Sequence, residues 1–330
     1  MDIDQKELLD KFVTHLRVLR GLKASSAGRY RSHVAEFSAW RSGNALEGPL
    51  SETTRQDIES YLSWAFYRGN GNQARRTKIV SLQNFFRYLK YTGVIVADPT
   101  DGIPRPRADK TLMHTFTREE VLRLFAQIDI SREKGLRDAV ILIFAAFAGF
   151  RIGEIINFDL DHITDDSKDI DLSVFKTKRG ENRTVYLWKA PSQLVRKLLA
   201  ARLADRDARG GDPLFVSYHR NGLPRGNRRL TPPVLNRLLK KLAQRAGIRK
   251  PVIKMHSLRA THANSLQSIR GYSLPAIQER LGWKDLSTAG RYLVHRERIH
   301  HEYKSLHEYW IDFTKKWITK EGNAEKQPLE

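Results

Sequence analysis

Between residues 151 and 292 the chain carries six side chains whose types suit the breaking of a phosphodiester without a metal. They are Arg151 in AGFRIGEI, Lys178 in KTKRGENRT, His256 and Arg259 in HSLR, Trp283 in LGW and Tyr292 in STAGRY. Cleavage at phosphorus builds negative charge on the nonbridging oxygens and on the leaving oxygen. It therefore needs preplaced cationic donors for the first and a proton source for the second. Arginine suits the first task, because its planar fork meets two phosphate oxygens and keeps its charge. A lysine can protonate a departing oxygen when neighbouring cations lower its pKa. Lys178 shares its segment with Lys176, Arg179 and Arg183. His256 and Arg259 lie one helical turn apart and so face the same side. Trp283 offers an indole N–H. Tyr292 offers a phenol that forms a covalent phosphoester once activated.

Each residue taken singly also has an ordinary explanation. Arg151 can pair with Glu154 or Asp138. His256 and Arg259 can be a surface pair on a basic helix. Lys178 can belong to a solvated loop touching backbone phosphate. Trp283 can be packing after Gly282. Tyr292 is one tyrosine among 11. The weight lies in the whole set.

The elements that must position these residues fall into two groups. Leu8, Leu9, Phe12, Val13, Leu16 and Leu19 recur at helical spacing. Ser25 or Ser26 is placed to cap a second helix, Thr53 or Thr54 a third, and a fourth runs from about Ala74 to Gly93. Residues 1–97 thus read as a four-helix domain. The proline-bearing stretch 98–114 reads as an interdomain linker. Residues 115–320 read as a second domain, mainly helical with a small β-sheet, so the fold class is α+β. It opens on a Thr117-x-x-Glu120 capping box, and Leu136–Ala148 is its buried helix. Asp171–Phe175 and Arg183–Leu187 are expected as a hairpin, and the segment from Ala190 onward as helices. A docking helix is expected at about 300–318, and 321–330 as a disordered tail.

With 58 Lys plus Arg against 37 Asp plus Glu, the chain carries a formal +21, which favours nucleic acid as partner. The cations are spread over both halves with no isolated polybasic tail, which argues against a membrane surface. Cysteine is absent, which excludes disulfides and thiolate-held zinc. The start of the chain has no apolar signal core, and the longest apolar run, Ala139 to Gly149, is too short to span a bilayer. A cytoplasmic protein is expected, at the nucleoid if bacterial.

These motifs resemble those of the tyrosine recombinases, the phage-integrase, Xer and Cre group. AGFRIGEIINFDLDHI is similar to the family's first arginine box and HSLRATHANSL to its HxxR box. LGWKDLSTAGRYLVH is similar to its terminal box, with Trp283 where many members have His. KTKRGENRTVYL resembles the β-hairpin lysine segment. Counting back from Val185-Tyr186-Leu187 puts the lysine at Lys178, with Lys176 as the alternative. SSAGRYRSHVAEFSAWR and RRTKIVSLQNFFRYLKYTGVIVADPT resemble the helical core-binding domain. Ala260 stands where His is common and Tyr186 where Pro is common.

The resemblance implies a fold of core-binding and catalytic domains clamped on double-stranded DNA with a specific site. It implies that Tyr292 attacks the scissile phosphate, Arg151 and Arg259 hold the nonbridging oxygens, and Lys178 protonates the 5′ oxygen. His256 and Trp283 would assist. No cofactor or metal is expected. A homotetramer on two duplexes would pass through a Holliday junction, with or without accessory proteins. The helix at 300–318 would dock on a neighbouring protomer or on its own domain. A type IB topoisomerase-like relaxing enzyme and a noncatalytic DNA-binding protein are the rival readings.

Overall fold

A computed structural model describes residues 3–46, 48–107, 114–165, 169–174, 183–188, 190–204, 209–219, 221–268 and 273–283. The expected helix at 300–318 and the tail at 321–330 lie outside the described residues. The chain divides into two compact units, Met1–Lys110 and Thr111–Glu330.

The first unit is built from helices α1 (Ile3–Val18), α2 (Ala24–Gly43), α3 (Arg55–Tyr67) and α4 (Asn72–Tyr91). Their helical-period apolar residues meet in one core, with Leu9, Phe12 and Leu16 of α1 packed against Phe85 and Leu89 of α4. Thr54 caps α3 through a reciprocal box with Asp57. The start of α2 differs from the sequence expectation. Lys23 is its N-cap and makes no side-chain cap bond, and the two serines fall within the first turn. A polar pair with one buried member borders the core, where the buried Lys78 ammonium meets the half-buried Glu36 carboxylate and lies 5.6 Å from the Tyr61 ring centroid. The first part of the proline-bearing stretch is fastened to this unit. Ile103 enters the helical core, Arg105 donates to Gln83, and Arg76 donates to the Pro106 carbonyl.

The second unit is assembled around α6 (Glu133–Ala146), every residue of which is buried from Leu136 onward. The short helix α5 (Arg118–Phe125) precedes it, and Thr117 and Glu120 form the expected capping box. α7 (Ile152–Ile156) follows at once. Next comes an antiparallel sheet of β1 (Ile163–Asp165), β2 (Asp169–Val174) and β3 (Arg183–Trp188), in that order. Leu172 of β2 faces Val185 of β3 across the ladder, and both side chains enter the core. The strand β1 adds an edge to the expected hairpin. α8 (Ala190–Leu203) closes over the sheet, and α9 (Pro232–Arg245), α10 (Met255–Ser268) and α11 (Leu274–Leu281) complete the unit.

The span after Ala190 is not wholly helical. A second hairpin, β4 (Val216–Tyr218) with β5 (Pro224–Arg229), sits between α8 and α9. Its β5 residues, PRGNRR, lack the apolar alternation that signals a strand. Tertiary bonds hold it instead. Arg137 donates to the Val216 carbonyl, Tyr218 donates to Glu133, and the buried Arg202 donates to Asn227.

Phe144 is the hub of the aromatic core, with ring centroids of Phe150, Phe158 and Phe215 at 5.4, 4.9 and 5.2 Å, all edge-on. Phe144→Ala is expected to destabilise the second unit by about 3–5 kcal/mol. Thr117→Ala, which removes only a cap, should cost about 1 kcal/mol. Hydrogen exchange of α6 peptides in the full chain reads both losses.

Candidate active site

The sharp exit from α6 is the first positioning device. Gly149 has φ +66°, and a Cβ there would lie 2.6 Å from the His262 ring and from Leu281. Only glycine accepts both the backbone conformation and the close approach. Two residues later Arg151 is the N-cap of α7. Its backbone N–H donates to Glu154, 2.8 Å away. Its side chain donates to Glu154 at 2.8 Å and to the Gly282 carbonyl at 2.7 Å. Gly282 is the left-handed C-cap of α11, with φ 59°.

Arg259 reaches the same place from α10. Its side chain is fully buried and donates to the carbonyls of Gly149 and Leu281. Two arginines from distant parts of the sequence are thus held by the C-terminal end of α11 and by the turn that leaves α6. The end of α11 presents the negative pole of its helix.

Glu154 is the anionic centre of the cluster. Arg183, on β3, donates from both terminal nitrogens to its two oxygens at 3.2 and 2.8 Å. Arg259 lies 3.9 Å from the same carboxylate. Burial is the largest influence on Glu154 and pushes its pKa up. The charge and hydrogen bonds of Arg183, the backbone N–H of Arg151 and the charge of Arg151 together outweigh it. They hold the carboxyl below its ordinary value.

His256 stands one turn before Arg259 on α10. Its pKa is pushed down to about 4 by burial first, then by the charges of Arg259 and Arg151. The imidazole is therefore neutral at pH 7 and able to accept a proton. Trp283 is buried within a small cluster with Ala260, Ala263, Leu266, Ile277 and Leu281. Its carbonyl accepts from Gln278 at 3.2 Å.

Of the six residues singled out from the sequence, the structure gathers Arg151, His256, Arg259 and Trp283 about the end of α11. Lys178, its alternative Lys176, and Tyr292 lie outside the described residues. Arg151 does pair with Glu154. Asp138 instead takes Arg137 and Lys134. Glu154 as the shared partner of three arginines, and Arg183 as its main counter-ion, are what sequence reasoning misses. The Arg151-x-x-Glu154 spacing at a helix start signals the first of these. Nothing local signals the second, because β3 must pair before Arg183 can reach α7.

One group of acidic and imidazole side chains, Asp159, Asp161 and His162, lies close enough to share an ion among the described residues. Arg229 already pairs with Asp159 at 2.5 Å, and His162 accepts from the Asp159 backbone N–H. This group belongs to the loop after α7 and not to the arginine cluster.

The family model described as "Phage integrase family" matches residues 114–298. The tyrosine recombinase XerD of Listeria innocua serovar 6a is 27% identical over 306 residues, covering 91% of this chain and 98% of that one. A lambda integrase (75–356) dimer bound to a COC′ core site superposes with a TM-score of 0.66 at 19% identity, over 89% of this chain and 96% of that one. A lambda integrase tetramer bound to a Holliday junction matches with a TM-score of 0.66 at 19% identity, over 89% and 78%.

The electrostatics of the cluster are open to direct measurement. The His256 ring is expected to titrate near pH 4 in side-chain nitrogen NMR of the DNA-free protein. Its folded value lies below the ordinary 6.5, so its contribution to stability is complete above pH 6.5 and is lost as pH falls through 4. Arg151→Gln removes one depressing charge and should move the titration upward. An ordinary value near 6.5 in the unsubstituted chain would contradict the buried, cation-flanked setting.

Proposed function

Because the chain belongs to the phage integrase family, we propose that it is a site-specific recombinase that cuts and rejoins DNA through a 3′-phosphotyrosyl intermediate. The observation that carries this reading is the pair Arg151 and Arg259, fixed on the end of α11 beside a neutral His256. Rigid cations next to a neutral base suit phosphoryl transfer, in which catalysis is positioning and charge stabilisation.

In the proposed reaction the Tyr292 oxygen bonds to the scissile phosphorus and the bond from phosphorus to the 5′ oxygen breaks. His256 takes the phenolic proton. Lys178, or Lys176, gives a proton to the departing 5′ oxygen. Arg151 and Arg259 meet the charge on the nonbridging oxygens, and Trp283 packs behind them. A 5′ hydroxyl from a partner strand then attacks the phosphotyrosine and restores the duplex. The ester energy is conserved in the protein–DNA bond, so neither ATP nor a high-energy cofactor is consumed.

The helical residues 1–97 serve as the core-binding domain, 98–114 as the linker, and 115–320 as the catalytic domain. The working assembly is a homotetramer on two duplexes. This follows the lambda integrase tetramer solved on a Holliday junction. The place of action is the cytoplasm, and among the described residues no helix is long and apolar enough to cross a membrane.

The test is covalent trapping on a nicked duplex taken from the native locus. Unsubstituted protein should give a protein–DNA band on a denaturing gel, and Tyr292→Phe none. Tight binding with no band from either protein would favour a noncatalytic role. Relaxation of supercoils without two-site exchange would indicate a topoisomerase-like enzyme. A substrate with sulfur at the 5′ bridging position separates the two lysines. A thiol leaves unaided, with a pKa of about 8.5. Cleavage by Lys178→Ala should be slow on the oxygen substrate and restored on the sulfur one. Restoration confined to Lys176→Ala would move the acid to that residue.

A further inference from the structure

The reading above leaves a problem of charge. Arg151 has to meet an anionic phosphate, yet it is hydrogen-bonded to the buried carboxylate of Glu154. A lone carboxylate there would compete with the phosphate for Arg151. It would also repel the phosphate directly, and it would be stranded without a partner when Arg151 turned away. The structure assigns the solution to Arg183: it is a positioning residue that neutralises Glu154, so that Arg151 can face the scissile phosphate. This assignment rests on the proposed recombinase chemistry.

Three observations support it. Arg183 is the better partner of Glu154, since it spends both terminal nitrogens on the two carboxylate oxygens while Arg151 spends one. Arg183 is also the more buried arginine, with a side chain 10% exposed against 37% for Arg151, so it is Arg151 that is turned toward solvent. Finally, the Arg183 guanidinium is locked. It lies 5.3 Å from the Phe150 ring centroid, and a Cβ on Gly282 would come within 2.7 Å of it. A guanidinium held on three sides is suited to fixing a carboxylate and poorly suited to swinging toward DNA. The charged groups facing Glu154 come from three elements, Arg151 at the start of α7, Arg183 on β3 and Arg259 on α10. Removing Arg183 takes away the strongest of the influences that keep the carboxylate ionised despite its burial.

The experiment is single-turnover cleavage of the nicked duplex by the full chain, with DNA affinity measured in parallel. Arg183→Gln should slow cleavage at pH 7.5 by about 10²-fold, the scale of a misplaced catalytic group, with duplex affinity nearly unchanged. The deficit should shrink as pH falls toward 5.5, because Glu154 without Arg183 takes up a proton more readily and the repulsion disappears. His256 stays neutral over that range in the unsubstituted chain. The decisive variant is Arg183→Gln with Glu154→Gln. Removing the carboxylate charge removes the need for its counter-ion. The double variant should therefore cleave faster than Arg183→Gln alone and close to the rate of Glu154→Gln alone.

A double variant as slow as Arg183→Gln, with no change in the deficit across pH, would overturn the assignment and show Arg183 acting on DNA or on the fold instead. If Arg183→Gln proves unfolded by circular dichroism, Arg183→Lys takes its place. It keeps the charge but not the fork, and rescue of its slower cleavage by Glu154→Gln supports or sinks the idea on the same terms. Absence of a covalent complex with the unsubstituted protein would mark failure of the recombinase reading itself.

Discussion

Guanidinium groups repel one another, and a pocket that gathers Arg151, Arg183 and Arg259 must hold them against that repulsion. The fold does so with one buried carboxylate and three main-chain carbonyls. Glu154 faces all three arginines, and Gly149, Leu281 and Gly282 supply the carbonyls. Leu281 and Gly282 are at the C-terminal end of α11, where a helix leaves unsatisfied acceptors, and Gly149 lies in the turn that leaves α6. The arginines therefore complete the end of α11 as much as that end holds the arginines. The architecture of the second unit serves this exchange. A helix buried from Leu136 onward delivers Gly149 to a fixed point, and α10 and α11 close on it from far along the sequence.

The same gathering of positive charge explains the histidines. His256 and His262 are both held below the ordinary imidazole range, His262 strongly, by burial first and then by nearby arginines. The positive charge that adds to burial at both imidazoles would also favour the ionised form of a phenol and the neutral form of an amine brought into it.

Much of this was open to inspection in the sequence, for physical reasons that differ from residue to residue. The capping box at Thr117 is local, written within four residues, and stands where it was read, and of Thr53 and Thr54 it is Thr54 that caps α3. The buried helix α6 announces itself by an unbroken apolar run. Arg151 and the His256–Arg259 pair were legible because their motifs are local and their resemblance specific. Elements held by distant contacts were not. The β4–β5 hairpin has a sequence that looks like loop, and only Arg137, Glu133 and Arg202 make it a ribbon. The stretch after Asp98 looks like a free linker by composition, yet Ile103 and Arg105 dock it on the helical unit. Glu154 was visible only as a possible partner of Arg151, because its second and third arginines arrive from 29 and 105 residues away.

Those separations have a temporal meaning. The Gly149 carbonyl waits for Arg259, 110 residues later, and Arg151 waits for Gly282, 131 residues later. Closing such loops is entropically costly and comes late in folding. A chain emerging from the ribosome therefore carries Arg151 through the next 131 residues of synthesis without a pocket to put it in. The arginine cluster comes into being as a unit, after the cap of α11 is made. Until then the half-made enzyme has the charge to attract DNA but no formed centre with which to cut it.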